Sequence, residues 1–377
     1  MLVFLFILAF AQASIVSVVI SFRHGGRAPV YKFSWDTGVW PQGLGQLTPS
    51  GMRQHYLNGR EFRYKYITQN AVINPVYLEE QVYVRSTDYN RTIQSVESML
   101  SGLFPIGPQI ASQNLAAKAV PPLIVSNLDN IQAQLGLNAL PNKFQTVPIH
   151  VVASPYDYML AGYSSTTCAR IGQIANEIAQ QNEYQDALNE YKSGLQKQIQ
   201  ELWGTSPSFS EAGWMGDTIT AELFEDFPMP NGVSTQMYYE LAGAYNYTAT
   251  YYYNKEVSSL AGSEFFEAVL YQFNSTINNT DTVRLGLYSA HDTTIAAFLS
   301  FMGMFSGKNP VFASTLIFEL HEVTGAYFVQ IIYNDQVMTL NGCQEMCPFD
   351  TFYTLIAENI VDDVEEACQL KSTTIFQ

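Results

Sequence analysis

Basic side chains are scarce in this chain: 18 Lys and Arg stand against 34 Asp and Glu over 377 residues, for a formal net charge of -16. No tract of them forms the phosphate-neutralising stripe that nucleic-acid binding needs, so nucleic acid is not an expected partner. Long apolar runs are lacking as well. The run LVFLFILAF, from Leu2 to Phe10, is too short to span a bilayer and leads into Ala11-Gln12-Ala13, a small-x-small cleavage signal. Residues 1–13 therefore read as a signal peptide cut after Ala13. The usual basic residue ahead of the run is missing, which leaves a buried first strand as the alternative. No later stretch is long and apolar enough to act as a membrane anchor, so the mature chain is expected to be soluble; homo-oligomer formation is compatible with its composition.

Cysteine is also rare, with four in all: Cys168, Cys343, Cys347 and Cys368. An even count behind a secretory leader favours disulfides, and three pairings are open. Cys343 and Cys347 are near enough to pair locally, which would leave Cys168 for Cys368. A four-cysteine zinc site is the rival, but the spacing lacks its two C-x2-C knuckles, so no structural metal is expected. Hydrophobic residues make up 47% and charged residues 14%, with 24 Tyr and 23 Phe, which excludes a disordered chain and supplies a large core. Sequons start at Asn90, Asn246, Asn274 and Asn278. The last three are expected to be glycosylated.

The pattern of elements is that of an α/β protein with a central, mostly parallel sheet flanked by helices. IVSVVISF, residues 15–22, is a β-branched run with little alternation, suited to a strand buried on both faces. A helix follows from Thr48 as cap, with Pro49 in its first turn and Met52, Tyr56, Gly59 and Phe62 on one face. A second strand, QVYVRST from Gln81, precedes the helix RTIQSVESMLSGLF; a third, VRLGLYS from Val283, precedes TTIAAFLSFMGMF. From residue 169 to 273, Ile171, Ile174, Ile178, Tyr184, Leu188, Tyr191, Leu195 and Leu202 recur at helical spacing among Gln, Asn and Glu. That segment reads as a helical cap inserted between the two parts of the sheet domain, 14–168 and 274–377. A closing hairpin turns at Thr324-Gly325.

Ligands of open α/β sheets bind at the carboxyl ends of the strands, and there this chain places its polar groups. SFRHGGRAPV, residues 21–30, puts Arg23, His24 and Arg27 after the first strand; Arg85 stands at the second, and His291 and Asp292 follow the third. Three potentially positive groups in five residues repel one another unless an anion sits among them. For a phosphate, Arg23, Arg27 and Arg85 supply planar donors to the non-bridging oxygens. Nearby guanidiniums keep His24 neutral and able to attack phosphorus. Asp292 can then protonate the departing alcohol, and His291 can donate a hydrogen bond to the transferring group. Singly, each residue also has a bland reading: surface charges, a satisfied loop histidine, and Asp292 as a helix cap. His55 is a candidate supporting residue, and His150 and His321 read as structural.

The segment RHGGRAP resembles the RHGxRxP pattern of the histidine acid phosphatases, VRSTDYNRT resembles their second arginine segment, and YSAHDTT their HD motif. WPQGLGQLTPSGMRQHY is similar to the prostatic and lysosomal branch, and the likeness runs in order from Ile15 to Cys368, weakest in the helical insert. The resemblance implies an α/β domain with a helical cap, hydrolysis of phosphate monoesters through a covalent phosphohistidine, and no cofactor. Carried over by motif, His24 is the nucleophile, Asp292 the proton donor, His291 its assistant, and Arg23, Arg27 and Arg85 the phosphate ligands; the cysteine pairing is the same as that read from spacing. It also implies a secreted or lysosomal lumenal location. Gly26 and Asn90 depart from the family, each standing where relatives usually have Asp. A glycan on Asn90 would crowd Arg85, so that sequon is expected to be unused. A phytase of the same family and a secreted phosphoester-binding protein without turnover are the competing functions. The first would need cations beyond Lys32, and the second is opposed by an intact His24 and Asp292. A phosphoglycerate-mutase-like role fits less well, because that intracellular branch lacks this HD segment.

Overall fold

A computed structural model describes residues 13–370, so the expected leader lies outside the described residues but for Ala13. The chain opens with β1 (Ser14–Arg23), α1 (Pro49–Arg63), β2 (Val82–Thr87), α2 (Asn90–Leu103) and β3 (His150–Val152). Five helices follow: α3 (Ala169–Ala179), α4 (Asn182–Ser193), α5 (Leu195–Trp203), α6 (Phe209–Phe224) and α7 (Thr235–Thr250). The sheet layer resumes with α8 (Lys255–Asn278), β4 (Leu285–Ala290), α9 (Asp292–Phe301), β5 (Thr315–Val323), β6 (Ala326–Tyr333), β7 (Gln336–Met338), β8 (Cys347–Pro348) and α10 (Phe349–Ala357).

The strands form one mixed sheet in the order β3-β2-β4-β1-β5-β6-β7, with β8 also on β6. β1, β2, β3 and β4 run parallel, and β5 to β8 extend the sheet antiparallel. β1 is central because its side chains are apolar toward both faces. Val18, Ile20 and Phe22 pack with Phe62, Val96 and Met99 under α1 and α2, whereas Val19 packs with Phe265 and Phe298 under α8 and α9. The β5–β6 hairpin turns at Thr324-Gly325, both with positive φ (50° and 81°), as a two-residue turn between twisted strands requires.

Two expectations shift. The buried face of α1 is Gly51, His55, Gly59 and Phe62, while Met52 and Tyr56 are exposed. Backbone proximity, not apolar area, decides this face: a Cβ on Gly59 would sit 1.9 Å from the Met99 carbonyl oxygen of α2. The second shift concerns the end of the cap. The helices α4 to α7 share their own core, in which Tyr191, Leu195, Ile199, Met215 and Leu241 meet Phe33 and Trp35 from the loop after β1. α8, however, buries Phe265, Phe266, Val269 and Phe273 against the sheet. A boundary at residue 273 thus falls inside a helix of the sheet layer. Both proposed disulfides form, Cys168–Cys368 and Cys343–Cys347, with Cα separations of 4.5 and 5.4 Å.

The cap is also fastened to the loop before α1 by two carboxyls, Asp36 and Glu222 of α6, both buried. Burial, then the hydrogen bond and the charge of Asp36, raise the Glu222 pKa to about 7, against backbone N–H groups of Gly38 and Thr37 that lower it. A pKa above the unfolded value of 4.5 means that Glu222 stabilises the fold fully below that pH and ceases to as pH rises through about 7. Glu222→Gln, which keeps the hydrogen bond without the charge, should lessen the fall in melting temperature between pH 5 and pH 8, an effect on the order of 1–2 kcal/mol. An unchanged fall in the variant would show that the pair holds no shared proton.

Candidate active site

The register of the parallel strands brings the three motifs together. Arg23 pairs with Ala290 and Ser86 with Ser289, so the carboxyl ends of β1, β2 and β4 lie side by side. There a cavity of about 260 Å³ is lined by His24, Arg27, Arg91, His291 and Asp292. Trp214, Tyr163, Tyr245 and Tyr252 complete much of its wall.

His24 is 2% exposed, and its Nδ1–H donates to the Gly25 carbonyl at 2.8 Å, which leaves Nε2 as the nitrogen with the lone pair. Burial, then the charges of Arg91, Arg23 and Arg27, push its pKa well below the ordinary imidazole value. It is therefore neutral even in acid. Behind it, His55 donates from Nε2 to the Arg23 carbonyl at 3.1 Å and is held neutral by burial, its pKa lowered to about 3.

Asp292 is the first residue of α9. Its Oδ1 accepts the Thr293 N–H at 3.0 Å, and its Oδ2 lies 3.1 Å from Arg23 Nη2 and 3.2 Å from the Tyr245 hydroxyl. Burial alone would raise its pKa; Arg23 and Arg27 outweigh burial, and the carboxyl stays below its usual value. Arg23 itself stacks on Phe312, 4.3 Å from the ring centre, and reaches the site through Asp292.

His291 departs from the donor role. Thr92 Oγ1 donates to the Tyr89 carbonyl at 2.8 Å and Thr87 Oγ1 to Thr92 at 2.9 Å, so Thr87 can only accept from His291 Nε2–H, 3.1 Å away. The remaining Nδ1 accepts from Arg91 at 3.4 Å. A neutral His291 thus has no N–H left for the phosphoryl group, and burial, with Arg91, keeps it neutral. Its free nitrogen faces Arg91 rather than the cavity's phosphoryl position.

Arg85 is a correction. It lies within β2, its guanidinium bound to buried Asp157, and it does not line the cavity. Along β2, Val82 and Val84 pack toward α1 and α2, which leaves Tyr83 and Arg85 for the opposite face. The arginine that lines the cavity is Arg91, in the first turn of α2 and six residues on in the same VRSTDYNRT segment. The signal was available: a first-turn residue after a strand sits at the ligand end of the sheet, and a mid-strand residue does not.

Asp217 and Tyr245, from α6 and α7, were not foreseen either; the Asp217 carboxylate binds Arg27 Nη2 at 2.8 Å. Asn246 lies mid-helix in α7 and is half-buried, its Oδ1 accepting the Asn309 N–H at 3.2 Å, so a glycan there would displace the 309–312 loop. Asn274 and Asn278 are exposed on α8, and Asn90 is exposed at the start of α2. Glu319 accepts from Tyr66 at 2.6 Å and pairs with Lys65 and His321, a cluster that does not line the cavity. Gly26 has a local reason: a Cβ there would meet the Phe224 ring at 2.0 Å.

The fold and this arrangement belong to one class. The chain is a member of the histidine phosphatase superfamily, branch 2, whose profile matches residues 14–334. Within it, the chain is similar to the lysosomal acid phosphatase of Xenopus laevis, 29% identical over 372 residues, covering 94% of this chain and 79% of that one. It is equally similar to the prostatic acid phosphatase of Bos taurus, 29% over 370 residues, covering 94% and 88%. Among solved structures, the Hafnia Alvei phytase in complex with myo-inositol hexakis sulphate matches with a TM-score of 0.66 at 18% identity, covering 96% of this chain and all of that one. This last likeness is one of fold.

Arg91→Ala should raise KM and lower kcat together, by about 100-fold or more in kcat/KM, because a clamp on the phosphoryl acts in both ground and transition states. Arg85→Ala should instead leave kcat/KM within a few-fold and cost about 3 kcal/mol of stability by stranding Asp157. Steady-state kinetics beside thermal melts check this; the reverse ranking in folded variants would restore Arg85 to the site.

Proposed function

We propose that this chain is an acid phosphatase that hydrolyses phosphate monoesters through a phosphohistidine on His24. The observation that carries the reading is a neutral imidazole held among arginines on a cavity wall that Asp292 shares. In the first step Nε2 of His24 forms a bond to phosphorus, the ester P–O bond breaks, and Asp292 delivers a proton to the leaving oxygen. In the second, water attacks phosphorus and its proton passes to the Asp292 carboxylate while the P–Nε2 bond breaks, the electron pair returns to the His24 imidazole, and phosphate leaves. Arg27 and Arg91 take up the charge on the equatorial oxygens in both steps.

Asp292 begins as an anion, so the proton has to arrive with the substrate. A phosphate monoester loses its second proton near pH 6, about the value for a phosphorylated side chain. Below that pH the bound monoanion carries a proton that Asp292 can relay, while His24 stays unprotonated. This is a physical reason for an acidic optimum.

Of the residues lining the cavity, Arg27 and Arg91 alone carry fixed positive charge, and Lys32 is exposed outside it. Aromatic walls with one phosphoryl clamp favour a single ester with an apolar or aryl leaving group over a heavily phosphorylated ring, and so favour the phosphatase over a phytase. A lysosomal or secreted location is supported by the names of the relatives and by the two disulfides; its mature N-terminus is expected at or near Ser14.

His24→Ala should abolish turnover and the acid-labile, base-stable phosphoprotein trapped during it; a trapped phosphoenzyme in that variant would move the nucleophile elsewhere. Asp292→Asn should impair alkyl phosphates about 10²- to 10⁴-fold, and nitrophenyl phosphate far less, because a nitrophenolate leaves without a proton. Equal losses on both substrates in a folded variant would refute the proton relay.

A further inference from the structure

Asp217 has no part in the steps above, yet it is the ion-pair partner of a cavity arginine. It lies in α6 of the cap, 190 residues from Arg27, and both side chains are almost fully buried, at 4% and 3% exposure. Asp217 Oδ1 takes only Nη2 of the guanidinium. Arg27 Nη1 donates weakly to the Ala28 carbonyl at 3.3 Å, and its buried Nε–H has no acceptor among the described residues. The carboxylate thus fixes one corner of the fork and leaves another donor unspent, on a residue that lines the cavity. Burial works against the charge of Arg27, and Asp217, helped by Tyr245 and Asp292, outweighs it, so that the guanidinium keeps its charge.

We infer that Asp217 is a positioning residue that aims Arg27 at the phosphoryl group, so that the cap, rather than the motif loop alone, sets the affinity for phosphate. The inference rests on the phosphatase reading of the site. An arginine side chain is long and rotamer-rich, and an anion that has to order it binds more weakly than one that finds it already held. α6 is built to deliver that restraint. Along the same face Thr218 donates to the Tyr31 carbonyl at 3.1 Å, Phe224 fills the space beside Gly26, and the next residue, Glu225, accepts from Thr48 and Ser50 at 2.6 and 3.0 Å. The helix is therefore docked along the whole Arg27 loop, and Asp217 is the contact that reaches the cavity arginine.

The test is the affinity for inorganic phosphate, read by calorimetry at pH 5, with steady-state kinetics on an aryl phosphate alongside. Asp217→Ala should weaken phosphate binding about tenfold or more and raise KM by a similar factor, with a smaller effect on kcat. Asp217→Asn, which keeps the shape and a neutral hydrogen bond, should recover part of the loss and gives the reading even where the alanine variant fails to fold. Thr218→Val removes a different contact of the same helix; it should lower the melting temperature and leave the phosphate affinity unchanged. Wild-type affinity in folded Asp217→Ala or Asp217→Asn would overturn the inference. So would a loss in Thr218→Val as large as that in Asp217→Ala, since docking of the helix would then be the cause. Because phosphate binding needs no turnover, absent hydrolysis by the wild type would count against the phosphatase reading and leave the position of Arg27 separately decided.

Discussion

The structure is organised around the cost of burying guanidinium groups beside an imidazole. Three arginines surround His24, and each buried charge has to be paired or it destabilises the fold. Arg23 is paired by Asp292, at the start of α9, and Arg27 by Asp217, from the cap. Among the described residues Arg91 forms no ion pair; it has the His291 Nδ1 and the face of Tyr89, 4.7 Å from the ring centre. Burial and the charge of Arg27 lower its pKa accordingly. Three cations against two carboxylates leave an excess of one positive charge in a protein whose net charge is -16. A phosphoryl group is the anion that closes this balance, and the neutral histidine in its midst is where phosphorus can be attacked.

What the sequence made legible follows from how local each signal is. β1, the Thr48 cap of α1, the Thr324-Gly325 turn and both disulfides were readable because runs of residue type, cap chemistry and cysteine parity act over a few positions or by elimination. On α1, Gly59 and Phe62 were read correctly, but Met52 and Tyr56 were taken in place of their neighbours Gly51 and His55, which carry no hydrophobic signal although they are the buried ones. The cap's end at residue 273 falls inside α8 because the chain stays helical through that point, and it is the burial of α8 on most of its faces, largely against the sheet, that sets it apart from the cap helices.

The site shows the same division. His24, Arg27, His291 and Asp292 converge because strand ends are predictable gathering points in a parallel sheet. Arg85 and Arg91 differ by six residues in one motif, and the choice between them turns on place: Arg85 lies within the strand, whereas Arg91 opens the following helix at the ligand end of the sheet. The pairing of Asp217 with Arg27 spans 190 residues and depends on how the cap docks, so no periodicity in the chain announces it.

Working in acid places the fold under a particular strain. His24, His55 and His291 are all held neutral, chiefly by burial, below their unfolded value of 6.5. Between pH 6.5 and their folded values the unfolded chain binds more protons, so each histidine makes the fold less stable as pH falls. Glu222 acts in the opposite sense over an overlapping range, gaining its proton in the folded state first. The Cys168–Cys368 bond, closing a loop of 200 residues, adds roughly 5 kcal/mol by the chain-entropy account and does not depend on protonation. These two supports are placed where the histidines create the need. One ties α6 to the loop before α1, the other ties the start of the cap to the C-terminal segment, and the imidazoles lie on the sheet side of that junction. The neutrality that the proposed attack by His24 needs in acid is therefore compatible with a stable fold because the cap is held by groups that acid does not release.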